Sequence, residues 1–121
     1  MAEKLNWNYV ANALNGPSVS GAGSIEVDAY DKFSITVSAG ATQEVHLVPG
    51  DGISLLIINP KPPSTDFSYA LGGNPVALDG PHLLIGAGAV SLLGTVTSLK
   101  FTNNTGSDAV IEILIGRDAT P

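Results

Sequence analysis

A chain of 121 residues with 13% charged and 44% apolar positions, 14 glycines and 8 prolines has room for one hydrophobic core and not for two ordinary domains. Its net charge of −6 leaves only five scattered cations, Lys4, Lys32, Lys61, Lys100 and Arg117, which argues against binding nucleic acid or an anionic membrane surface. Cysteine is absent, which excludes disulfides, thiolate catalysis and the common zinc frameworks.

So little charge is unusual for a small monomer that must stay soluble, and burial of surface in a homo-oligomer is the natural expectation. The longest strongly apolar run, ISLLII from Ile53 to Ile58, falls far below the ~20 residues that span a bilayer. The N-terminal MAEKLNWNYV has no apolar h-region, so no secretion signal is expected, and the compartment stays open.

The N-terminal segment has two readings. Trp7, Val10 and Leu14 could share a helical face, but Leu5, Trp7 and Tyr9 also alternate with Asn6 and Asn8, and Asn is a poor helix-interior residue. The second reading predicts an extended arm or edge strand over residues 1–23, ahead of a β-sandwich domain over 24–121. From Ile25 to Val37 every odd position except Asp31 is apolar, the period of a strand with one face in a core. Asp31 on the apolar side predicts a bend or bulge there. The turn residues SAGAT and the alternation in QEVHLV then predict a hairpin.

After the turn PGDG, ISLLIIN is apolar on both faces, as befits a central strand covered twice or one covered by another subunit. PKPPSTD, Pro60 to Asp66, predicts a loop, because proline removes amide donors and fixes φ. Phe67, Tyr69 and Leu71 alternate again. VAL and HLLIG predict two short strands around DGP, and SLKFTN, NTGSD and AVIEILIGR predict a closing hairpin. No ten-residue window has a convincing helical period. The whole predicts an all-β, single-domain antiparallel sandwich of jelly-roll type.

Chemical motifs are scarce. HLLIGAGAV outlines the start of a dinucleotide fingerprint, with Gly86 and Gly88 in the first two glycine positions. The third is Ser91, no room remains for the helix whose N-terminus would hold phosphate, and the acid twenty residues on, Asp108, falls in a turn. His46 and His82 are far apart with no third histidine. Ser91 lacks a nucleophile elbow. Asp28, Asp31 and Asp51 are candidates for calcium or glycoside chemistry, but turn aspartates ordinarily bond local amides. The sequon Asn103-Asn104-Thr105 falls in the same turn as Asp108. No catalytic residue, cofactor or metal is expected. Of the aromatics, Tyr30 falls on a polar strand face, Trp7 and Tyr9 could pack on a neighbour, and Phe33, Phe67 and Phe101 read as core.

An extended arm, MAEKLNWNYVANALNGPSVSG, a Gly/Ala/Ser/Thr-rich β body of low charge, and the closing TSLKFTNNTGSDAVIEILIGRDATP together resemble the small all-β structural proteins of phage and virus particles, such as capsid decoration proteins. The resemblance implies a homo-oligomer, often a trimer, that attaches to or stiffens a protein shell and has no active site. The expected subunit-contact residues are Trp7, Tyr9, Ile53, Leu55, Ile57, Leu84, Ile85, Val90, Leu92 and Leu93, with the small residues of GAGA allowing close backbone approach. The alternatives are a carbohydrate-type ligand-binding sandwich and, less favoured, a cupin-like metal enzyme.

Overall fold

The computed structural model describes residues 3–46, 52–71, 74–93 and 98–117. Ten strands follow in order: β1 (Glu3–Asn12), β2 (Ser18–Val27), β3 (Ala29–Val37), β4 (Thr42–His46), β5 (Ile53–Lys61), β6 (Ser64–Ala70), β7 (Val76–Leu78), β8 (His82–Ile85), β9 (Ser98–Asn103) and β10 (Ala109–Arg117). One short helix, α1 (Ala87–Val90), and a 3₁₀ turn at Ser91–Leu93 follow β8. Eight strands make two four-stranded antiparallel sheets, ordered β3-β10-β5-β8 and β4-β9-β6-β7, while β1 and β2 form a separate two-stranded ribbon. Two sheets whose consecutive strands mostly alternate between them make a jelly-roll-like sandwich, so the all-β class expected from the alternation is what the chain adopts.

The core lies between the sheets. Val37, Leu56, Ile58, Ile111, Ile113 and Ile115 come from one sheet, and Phe67, Tyr69, Leu78, Leu99 and Phe101 from the other. Phe101 sits 6.2 Å from Phe67 and 5.9 Å from Tyr69, centroid to centroid, inside the range of favourable tilted ring pairs. Each of these side chains contributes about 1.5–3 kcal/mol by leaving water.

Two expected hairpins are instead corners. β3 pairs with β10 and β4 with β9, so SAGAT carries the chain from one sheet to the other, and NTGSD between β9 and β10 does the same. The two corners are laced together. The fully buried Asn103 donates from Nδ2 to the carbonyls of Val37 (2.8 Å) and Ser107 (2.9 Å), and its Oδ1 accepts from Thr105 N (2.9 Å) and Thr105 Oγ1 (2.6 Å). Gly40, at φ 76°, turns the first corner and donates to Asn103 O. Asp108 caps the arrangement by accepting from Ala39 N at 3.0 Å.

Asp31 causes no bulge. β3 runs unbroken through it, and its carboxylate meets Arg117 Nη1 at 2.7 Å, at the rim of the core face. The break falls at Asp28, between β2 and β3. The proline loop also shrinks. β5 runs to Lys61 and β6 begins at Ser64. At Pro60 the edge neighbour β8 has already ended, since its last pair is Ile58 with His82, and a one-sided strand tolerates a missing donor. A bulge falls instead at Ser54, where Leu55 faces Gly116 and Ile53 faces Arg117. The extra residue lets Ile53 and Leu56 both enter the core while Leu55 and Ile57 turn outward.

The N-terminal segment is a hairpin, and its pairing continues to Val27 with Glu3 opposite. Its turn closes with Ala13 N to Pro17 O (2.9 Å) and Gly16 N to Ala13 O (3.0 Å), with Asn15 at φ 59°, a left-handed conformation that Asn tolerates.

Candidate functional site

Strand alternation gives the ribbon one apolar face. Leu5, Trp7, Tyr9 and Ala11 lie opposite Ile25, Gly23, Gly21 and Val19. The glycines are needed there because both rings lie flat on the neighbouring backbone. A Cβ at Gly23 would sit 2.7 Å from Trp7 Cζ2, and one at Gly21 2.8 Å from Tyr9 Cε1. The two rings stack in turn, 6.0 Å apart and 13° from parallel. This is the close approach expected of small residues, but it falls in SGAGS and not in GAGA. Gly88 has open space at its Cβ position, and Gly86 is required for its φ of 97° at the start of α1.

Among the described residues, the ribbon packs tightly on the sheet at its base. Leu5 and Val27 close over Gly116 and Leu55 on the outer face of the β3-β10-β5-β8 sheet, and Val27 and Leu55 are fully buried. Cover then falls off along the strands. Trp7 is half-buried, Tyr9 is 41% exposed, Val19 64% and Leu14, in the turn, 92%. Between ribbon and sheet an open cleft of about 290 Å³ has Leu5, Asn6, Trp7 and Asn8 on one wall and Leu55, Ile57, Leu83, Ile85 and Leu114 on the other.

Of the ten expected contact residues, the structure gathers Trp7, Leu55, Ile57 and Ile85 at this cleft, with Tyr9 farther along the ribbon. Ile53 and Val90 are buried in the core, and Leu84 and Leu93 pack against it. They are core residues in this chain, because β8 turns Leu84 inward with His82 and α1 tucks Val90 under the sheet edge. Leu92 is exposed in the 3₁₀ turn, away from the cleft lining. Leu5, Leu83 and Leu114 were not among the expected residues. Leu83 and Ile85 share a strand face by their spacing of two, and that signal could have paired them.

Charge is distributed unevenly over this surface. From Asn6 to Ile25 there is no charged residue, and the ribbon's charges, Glu3, Lys4 and Glu26, sit at its base. The far half of the same sheet face is ionic. Lys61 Nζ meets Glu112 Oε1 at 3.0 Å, and Asn59 Nδ2 donates to the same oxygen at 3.2 Å. Those hydrogen bonds from Lys61 and Asn59, with the lysine's charge, hold the Glu112 carboxyl below its ordinary range.

The remaining motif residues serve the fold. The Tyr69 hydroxyl pairs with His82 Nδ1 at 2.8 Å, linking the two sheets, and burial raises the Tyr69 phenol above its ordinary value. His46 is exposed beside Glu44 at 3.4 Å. Ser91 Oγ donates to Gly88 O at 2.6 Å, a local helical bond. The sequon asparagine, Asn103, is the buried corner residue. Tyr30 is exposed, Phe33 packs against the core, and Phe67 and Phe101 are within it. Asp51 and the residues before it in PGDG lie outside the described residues. Among the described residues no group of three or more His, Asp and Glu could hold a metal ion, and no helix is long and apolar enough to cross a membrane. Comparison of the chain with protein-family models, with curated proteins and with solved structures finds no match.

Proposed function

We propose that this protein is a non-enzymatic structural module that assembles as a homo-oligomer, with a trimer favoured, and that it serves in a protein shell in the manner of small phage-type decoration, head or tail proteins. The observation that carries this reading is the ribbon: twenty consecutive uncharged residues lie along it in a chain of net charge −6, and among the described residues the cover of its apolar side chains falls from a buried Val27 to a 92% exposed Leu14. A projecting uncharged arm with a bare apolar face costs solubility in a monomer and has a use only when a partner covers it.

A sugar-binding reading takes Trp7 as its stacking platform, since that ring lines the cleft. It is the weaker of the two, because the polar residues lining the cleft, Asn6 and Asn8, both belong to the ribbon wall beside Trp7 and the facing wall of Leu55, Ile57, Leu83, Ile85 and Leu114 is apolar, whereas ligand sites place polar groups that converge on the ligand. Light scattering on the purified chain tests the first reading. A mass that is a multiple of 12.3 kDa, held at micromolar concentration, supports it, and a monodisperse monomer overturns it. Binding on a glycan array would favour the second.

A further inference from the structure

We infer that the cleft between ribbon and sheet receives the tip of the same ribbon from a second copy of this chain. The inference rests on the assembly reading and names its contact. One chain carries both donor and acceptor. The donor is the distal ribbon, where Leu14 and Val19 stand almost free of the body. The acceptor is the cleft of about 290 Å³, the volume of about two or three aliphatic side chains at interior packing density.

Charge supports the same pairing. Two copies of a −6 chain repel, and the tip lies within a run, Asn6 to Ile25, that carries no charged residue. The cleft wall of Leu55, Ile57, Leu83 and Ile85 is uncharged too, while the ion pairs of that sheet lie on its far half. The new contact also continues one the chain already makes, because Leu5 and Val27 sit on Gly116 and Leu55 at the inner end of the same surface.

Reach is adequate. Ten-residue strands extend about 33 Å, well beyond the anchored base. Tyr9, Leu14 and Val19 are 41%, 92% and 64% exposed and together offer on the order of 400 Å², about half of the ~800 Å² per partner of a standard interface, so each single junction is small and the assembly draws on several at once. Because giving and receiving surfaces differ, the contact is head to tail, and it makes a ring of fixed size where its rotation closes and an open filament where it does not.

The test uses the absence of native cysteine. A chain carrying Leu14→Cys is co-expressed with one carrying Leu83→Cys and oxidised, and non-reducing electrophoresis and light scattering follow. The inference expects a disulfide between the two different variants that neither variant forms alone, and a wild-type oligomer that Leu14→Asp weakens at least tenfold with circular dichroism unchanged. If wild type is oligomeric but no mixed disulfide forms and Leu14→Asp leaves the mass unchanged, the tip is not the contact, and the assembly reading survives without it. A Leu14 to Leu14 disulfide in the single variant would place tips against each other and overturn the inference. A monomeric wild type overturns both.

Discussion

Replacing Asn103 by Ala tests the reasoning about the two corners. The side chain is fully buried and makes four hydrogen bonds: to Val37 O, to Ser107 O, from Thr105 N and from Thr105 Oγ1. Each such bond contributes about 1 kcal/mol net, and a buried carbonyl or amide left unpaired costs about 1–3 kcal/mol. Solvent can reach the Ser107 and Thr105 side of the turn, which lowers the loss there, whereas the Val37 carbonyl lies on the buried side. The expected loss is about 3 kcal/mol, a large share of the ~5–15 kcal/mol that holds an ordinary domain together. Asn103→Asp should cost more at neutral pH, because it turns a carboxylate oxygen toward two carbonyls, and part of that loss should return as acid protonates the new carboxyl. Urea unfolding followed by circular dichroism measures both, with the slope of the transition unchanged if only the native state is affected. A loss below about 1 kcal/mol for Asn103→Ala would refute the claim that this residue ties the sheets' crossovers together.

Further predictions concern the ribbon base and the titrating groups. Gly116→Val places a side chain where a Cβ already meets Leu5 Cδ1 at 2.8 Å and Val27 Cγ1 at 3.1 Å, so the ribbon lifts at a cost of about 1–3 kcal/mol. The single tryptophan, Trp7, reports it as a red-shifted emission, and unshifted emission would count against the anchoring. The lowered Glu112 carboxyl adds stability above the ordinary carboxylate range and loses it as pH falls through the depressed value. Thermal melts of Glu112→Gln should lack that part of the acid loss. The Tyr69 phenol, raised from 10.0 by burial, adds stability that is fully present below pH 10.0 and is lost as pH rises through the raised value. Alkaline melts of Tyr69→Phe should miss that decline.

Where strands lie was readable from period-two alternation, as in Phe33, Ile35 and Val37 of β3, because one face meets a core. Which strands pair was not. SAGAT and NTGSD have hairpin composition, yet each joins different sheets, and the residue that decides this, Asn103, looks from sequence like an ordinary turn polar. Asp31 looked like a defect because its partner, Arg117, is 86 positions away. Proline in PKPPSTD implied a loop, but a strand that has lost one neighbour loses little by lacking a donor. The candidate surface was half legible. Leu55, Ile57 and Ile85 stand in runs that need a second covering, and Trp7 and Tyr9 stand on an arm that could pack on a neighbour. Ile53, Leu84, Val90 and Leu93 were grouped with them only because the bulge at Ser54 and the turn after Ile85 reset the phase, which local sequence does not announce.

The most direct measurement is light scattering of wild type and Leu14→Asp side by side, from low to high micromolar concentration. Wild type is expected as an oligomer of about three times 12.3 kDa, and Leu14→Asp is expected to dissociate toward the monomer with unchanged circular dichroism. A wild type that stays at 12.3 kDa throughout would contradict that expectation.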